Sequence, residues 1–249
     1  MTATLGLIGT GMIGSGLAHL AVAAGLNVVL SNSRDPETLS DLVAGLGPNA
    51  RAALPHEAAE AGDIVVATVP FSALGNLPVQ ALTAKTVIDT MNYYPQRDGT
   101  VADLDAGMTT SSELVQRHLA RSQVVKAFNN IDFRRLSLLA LRSGAPERSA
   151  LPIFGDDPDA KADATRLLDE LGFDAVDGGS LADSWRTAPG TPAYVLPYLP
   201  ERQEGMTAGA QEAWFYTNPG CPVPATRIRE LVAAAVRLDP TNARMTLQQ

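Results

Sequence analysis

Short apolar runs recur through the first half of the chain, and each is followed by a stretch of helical character. Residues 5–8, 27–30, 63–69, 86–89 and 124–127 are built mainly of Val, Ile and Leu, with no polar alternation. A strand that is apolar on both sides is covered on both sides, which marks a parallel sheet between two helix layers. Between the runs lie helix formers: Leu17, Ala18, Leu20 and Ala21 lead a segment that stops at Gly25, residues 36–46 read as helical, and 57–61 as a short helix. This alternation predicts a doubly wound α/β sheet. After residue 128 the pattern loosens. Runs at 151–154 and 175–176 flank a helix-like stretch, 159–171, which fits one more βαβ unit or a small second domain. Prolines then cluster at Pro189, Pro192, Pro197 and Pro200, before an amphipathic helix near 228–238 and a polar tail. The expected division is therefore a nucleotide-type domain over 1–128 and a smaller C-terminal α/β or helical part over 129–249.

The first strand runs directly into Gly9, Thr10, Gly11, Met12, Ile13 and Gly14, and the first helix follows. A glycine-rich turn is unspecific alone. Between a strand and a helix it has the setting that dinucleotide binding requires. Gly9 permits the tight turn, Gly11 leaves no side chain in the path of a pyrophosphate, and Gly14 lets the helix pack closely on the sheet. The helix N-terminus then offers free N–H groups and a positive dipole end to phosphate oxygens. The expected fold is thus a Rossmann-type sheet.

The end of the second strand selects the dinucleotide. A site for NAD usually carries Asp or Glu there, to hold the ribose hydroxyls. This chain reads Leu30, Ser31, Asn32, Ser33, Arg34. Three small hydrogen-bonding side chains and a guanidinium suit a 2′-phosphate, so the expected cofactor is NADP(H). Asp35, Pro36 and Glu37 read instead as a helix start, with Asp35 as N-cap and Pro36 in the first turn.

Composition narrows the partners. The net charge of −8, from 19 basic and 27 acidic residues, sets a field that repels a long polyanion, so no nucleic-acid partner is expected. No apolar run is of bilayer-spanning length. The N-terminus lacks the basic segment of a signal peptide. Cys221 is the one cysteine, which excludes an internal disulfide and a cysteine-cluster metal site. These features favour the cytoplasm, a small-molecule substrate and no metal.

The loop Gly9 to Gly14, the string Ser31 to Arg34, Val69-Pro70, Val125-Lys126-Ala127-Phe128-Asn129, Ile153-Phe154-Gly155-Asp156-Asp157 and Leu171-Gly172-Phe173 together resemble the NADPH-dependent coenzyme F420 reductases. A similar Lys-x-Phe-Asn string and downstream order occur in the cytosolic domain of the six-transmembrane metalloreductases. The resemblance extends to about Trp185. It implies hydride exchange between NADP(H) and the deazaflavin coenzyme F420, and a homodimer. It places the 2′-phosphate at Ser31, Asn32, Ser33 and Arg34, and the pyrophosphate on Thr10 to Ile13. The nicotinamide then lies near Val69 and Pro70, with backbone contacts near Asn92 and Ala127. The chain departs from archaeal members of that family by continuing through Gln211-Glu212-Ala213-Trp214-Phe215-Tyr216 to Gln249.

Hydride transfer to a deazaflavin needs stacked rings more than acid–base groups. A carbonyl or imine substrate of the alternative reading would need a proton donor. Asn92, Tyr93, Tyr94, Lys126, Asn129, Asn130 and Asp132 fall near predicted strand ends. Each also has a plain structural reading, as do His19, His56 and His118, so no catalytic residue is assigned. Trp185 and the run Trp214-Phe215-Tyr216 suggest a pocket wall or a subunit interface.

Overall fold

The computed structural model describes residues 3–201 and 205–237. Its sheet contains β1 (Thr4–Ile8), β2 (Asn27–Ser31), β3 (Ala50–Ala52), β4 (Ile64–Ala67), β5 (Thr86–Asp89), β6 (Gln123–Lys126), β7 (Ala150–Gly155) and β8 (Asp174–Asp177). The strand order is β3-β2-β1-β4-β5-β6-β7-β8. Strands β1 to β6 pair in parallel, β7 runs antiparallel to β6, and β8 is parallel to β7. The order reverses between β1 and β4, and their carboxyl ends open the crevice where such sheets take ligands.

The unbroken apolar runs resolve into two cores through the two-residue period of a strand. Val66, Ile88 and Val125 enter one apolar cluster, whereas Val65, Ala67, Val87 and Val124 enter the cluster on the opposite face. The first cluster also takes Phe154, Leu168, Phe173 and Val232, so residues on both sides of position 128 share one core and one sheet. Position 128 falls just after β6, where the strand direction reverses.

Several elements begin earlier than their sequence signals. Helix α1 spans Met12–Ala23 and so includes the glycine loop's own last residues. The stretch 36–46 is a 3₁₀ turn, Pro36–Leu39, continued by the helix Ser40–Leu46; Asp35 caps it by accepting from the Glu37 N–H at 2.9 Å. The helix Pro158–Glu170 is capped by Asp157, which accepts from the Ala160 N–H at 2.8 Å. Strand β3 has the sequence Ala-Arg-Ala and no apolar run, and it lies at the sheet edge beside β2. Helices Ser111–His118, Phe133–Leu138 and Ala208–Thr217 add to the expected set. The C-terminal helix covers Ala225–Ala233, and the expected extension to residue 238 and the polar tail lie outside the described residues. Among the described residues no helix is long and apolar enough to cross a membrane, and no cluster of His, Cys, Asp and Glu could hold a metal.

Candidate functional site

The crevice at the carboxyl ends of β1, β4 and β5 has a volume of about 310 Å³. Gly11, Met12, Ile13, Val69, Pro70 and Asn92 line it, with Thr68, Thr90, Tyr94, Arg97, Phe128 and Asn129. It thus brings together most of the residues expected at the pyrophosphate and the nicotinamide.

Each glycine of the loop has a separate reason. Gly9 has φ +104° and donates its N–H to the Ser31 carbonyl at 2.9 Å, and a Cβ there would meet the Thr68 carbonyl oxygen at 2.4 Å. A Cβ on Gly14 would meet the Gly9 carbonyl oxygen at 2.1 Å, so helix α1 and the loop touch through backbone alone. Gly11 differs: nothing lies within 4 Å of its Cβ position. Protein packing does not require that glycine, whereas an oxyanion resting on the loop would. Gly11 is also the N-cap of α1, makes no side-chain cap, and the first turn holds no acidic residue. The free N–H groups of a twelve-residue helix therefore face the crevice, the arrangement that binds phosphate.

At the end of β2 the expected cradle is narrower than its sequence. Ser31 is fully buried, and its hydroxyl donates to the Leu7 carbonyl at 2.9 Å. In this structure the hydroxyl proton is thus used between β1 and β2. Asn32 shapes the turn: its Oδ1 accepts from the Arg34 N–H at 2.8 Å and its Nδ2 donates to Thr38 Oγ1 at 2.9 Å. Ser33 and Arg34 are exposed, and the Arg34 guanidinium forms no ion pair among the described residues.

The opposite end of the crevice is a network of side chains. Asn92 donates from Nδ2 to the Asn129 carbonyl at 2.8 Å and accepts at Oδ1 from Asn129 Nδ2 at 3.1 Å. Asn129 also donates to the Thr187 carbonyl at 2.9 Å. Phe128 holds φ +59°, a left-handed conformation costly for a bulky residue, and its ring packs edge-on against Phe173 at 6.4 Å between centroids. This turn carries the chain out of β6 and sets Phe128 and Asn129 as the crevice wall. Ala127, expected to contact the nicotinamide, is fully buried behind them, with its N–H donated to the Asp89 carbonyl at 3.1 Å. The wall position passes to its two successors.

Lys126 is equally structural. Its ammonium, 2% exposed, meets Asp89 Oδ2 at 3.0 Å and also donates to the Met91 carbonyl. Asp89 accepts further from Ser112 Oγ and the Met91 N–H, each at 2.8 Å. Tyr93 clamps the loop that follows β5: its hydroxyl donates to Asp105 at 2.8 Å and accepts from the Val101 N–H at 3.0 Å.

Tyr94 and Arg97 sit at the crevice without any motif to announce them. The Tyr94 hydroxyl pairs with the Tyr194 hydroxyl, 100 residues away. Burial pushes the Tyr94 phenol up, and burial together with the Tyr94 neighbour pushes Tyr194 well above the ordinary tyrosine value. Arg97 stacks on the Tyr94 ring at 4.9 Å, donates to the Asn92 carbonyl at 2.8 Å and pairs with Asp98 at 2.8 Å. Burial tends to raise the Asp98 carboxyl, but the Arg97 hydrogen bonds and the Tyr94 N–H outweigh it and hold the carboxyl below its usual range. The signal for these residues was their place just after β5, in the single turn Pro95–Asp98.

Of the aromatics, Trp185 walls a second pocket beside the crevice. Phe215 is buried against Phe133 and under the Arg135 guanidinium, and Tyr216 is partly exposed.

Residues 4–93 match the family model described as NADP oxidoreductase, coenzyme F420-dependent. A hypothetical protein from Sinorhizobium meliloti, SMa0349, is 30% identical with a TM-score of 0.69, over 81% of this chain and 97% of that one, so the two proteins belong to one family. A protein of Arthrobacter sp. assigned to the F420-dependent NADP reductases shares the fold, at 22% identity, 74% of this chain, 87% of that one and a TM-score of 0.60. The metalloreductase STEAP3 of Rattus norvegicus is 30% identical over 199 residues, which make up 78% of this chain and 37% of that protein. The chain spans 39% and 37% of the length of two curated relatives it matches.

Proposed function

We propose, from the premise that residues 4–93 belong to the NADP oxidoreductase, coenzyme F420-dependent family, that this protein binds NADP(H) along the β1–β4–β5 crevice and exchanges hydride with a deazaflavin of the F420 type. The observation that carries the cofactor part is Gly11: space unused by protein, at an uncapped and acid-free helix N-terminus. The N–H groups of Gly11, Met12 and Ile13 would hold the pyrophosphate, and Ser33 and Arg34 the 2′-phosphate, with Asn32 fixing their turn. Val69, Pro70, Asn92, Phe128 and Asn129 would bound the nicotinamide. Bound NADPH supplies the hydride; the chain orients the ring and keeps water from it.

The experiment is direct. The protein, mixed with coenzyme F420 and NADPH, should bleach the deazaflavin absorbance, and NADP⁺ with reduced F420 should restore it. NADPH binding without any change in that absorbance refutes the deazaflavin part alone.

A second reading, reduction of a small carbonyl or imine compound by NADPH, is favoured by Tyr94. It lines the crevice, carries a phenol that is protonated at neutral pH, and is backed by a second hydroxyl on Tyr194. Such a phenol could hand a proton to a developing alkoxide or amine. NADPH consumption that requires such a compound, and that Tyr94→Phe abolishes, would select this reading. A homodimer and a cytoplasmic location remain part of the proposal, resting on family resemblance and composition.

A further inference from the structure

A second pocket of about 90 Å³ adjoins the crevice, and Asn92 lines both. Its wall is Trp185 and its rim is Arg237. The Arg237 guanidinium lies over the Trp185 ring, 5.3 Å from its centroid, and donates to the Gly107 carbonyl. It forms no ion pair among the described residues, unlike its neighbour Arg186, which stacks on the same indole at 4.6 Å and reaches Asp183 at 3.7 Å. Lys126 lines the pocket as well. It uses two of its three N–H groups on Asp89 and Met91, and its charge is balanced by Asp89. Ser111 and Ser184 also line this space, and their hydroxyls take no protein partner among the described residues. No carboxylate belongs to the described lining.

We infer that this pocket binds a compact organic carboxylate, with its charged end at Arg237, whose guanidinium rests on Trp185, and its apolar body against Leu104, Ala188 and Pro189. A bidentate guanidinium matches a carboxylate, and the aliphatic lining offers apolar contact without competing for the charge. Free hydroxyls at Ser111 and Ser184 supply donors that the same anion can use. Asn92, common to the two linings, sets a bound carboxylate beside the crevice. The inference concerns binding and stands apart from the proposed reaction.

The test uses the full chain carrying Trp214→Phe, which leaves Trp185 as its one tryptophan. Sodium butyrate and 2-oxobutyrate are titrated against its fluorescence, with 2-butanone as the uncharged probe, each with and without NADPH. Both acids should change the Trp185 emission saturably, and butanone should bind far more weakly. Arg237→Gln should weaken acid binding about 10- to 100-fold, the range expected for losing a charge-assisted pair, and Arg237→Lys should recover part of it. Arg237 is exposed, so its replacement leaves the core intact. Equal binding of acid and ketone, or undiminished acid binding by Arg237→Gln, overturns the inference. Acid binding that is absent while NADPH still binds overturns it and leaves the cofactor reading standing. Absent NADPH binding with acid binding retained does the reverse.

Discussion

The two ends of the crevice are built from different materials. At the glycine end the surface is mostly backbone: glycines at positions 9, 11 and 14 and an uncapped helix terminus, with an exposed Arg34 nearby that forms no ion pair among the described residues. At the other end almost every polar group already has a partner. Asn92 and Asn129 hold each other, Tyr94 holds Tyr194, and Arg97 holds Asp98 and Asn92. The first end presents uncapped N–H groups with no acidic residue in the helix's first turn, which suits an anion. The second is a preorganised wall, where a ligand meets groups whose positions the protein has set. Binding strength should therefore depend on the first end, and orientation on the second.

The largest expected effect tests how firmly the wall is set. Lys126→Met leaves Asp89 buried without its cation, which should destabilise the fold by about 3–5 kcal/mol in a denaturant titration. The double replacement Lys126→Met with Asp89→Leu should recover much of that loss; if the single variant is as stable as the parent, the buried pair is not what fixes the β5–β6 ends. At the phosphate end, Gly11→Val places a side chain where protein leaves space. It should cost NADPH binding about 3 kcal/mol or more, the worth of two charge-assisted hydrogen bonds, with an unchanged melting temperature. A melting temperature that falls in step with affinity would mean that Gly11 serves packing instead.

A smaller effect separates the two dinucleotides. Arg34→Ala should weaken NADPH binding by about 1.5–3 kcal/mol and leave NADH binding nearly unaltered, and equal losses for both would remove Arg34 from the 2′-phosphate site. The smallest effect belongs to the tyrosine pair. Both phenols are raised in the fold above the ordinary value of 10.0, so the stability they contribute is fully present below pH 10 and declines as pH rises through the folded values. Thermal unfolding followed from pH 8 to 11 should show that decline above pH 10, and Tyr194→Phe should lessen it.

The Gly9–Gly14 turn was legible in the sequence because its geometry is local: φ freedom and close packing both act within six residues of a strand-to-helix junction. The Asp35 cap was legible for the same reason. The Ser31 hydroxyl's partner was not legible, because a serine at a strand end looks the same whether its hydroxyl meets a ligand or the neighbouring strand; here it meets the Leu7 carbonyl 24 residues away. Tyr94 with Tyr194, Asn92 with Asn129, and Trp185 under Arg237 pair residues 37 to 100 positions apart.

By itself the sequence determined the alternation of buried strands and helices, the glycine turn, and a basic residue where a carboxylate would mark NAD. These depend on the period of a strand, on φ freedom and on charge, all properties of neighbouring residues. Tertiary structure alone decided that the chain past residue 128 joins the same sheet, that Phe128 and Asn129 replace Ala127 at the wall, and which phenol meets which. Those outcomes follow from packing between distant segments, where burial and the need to satisfy each polar group choose among side chains that are equivalent in the linear chain.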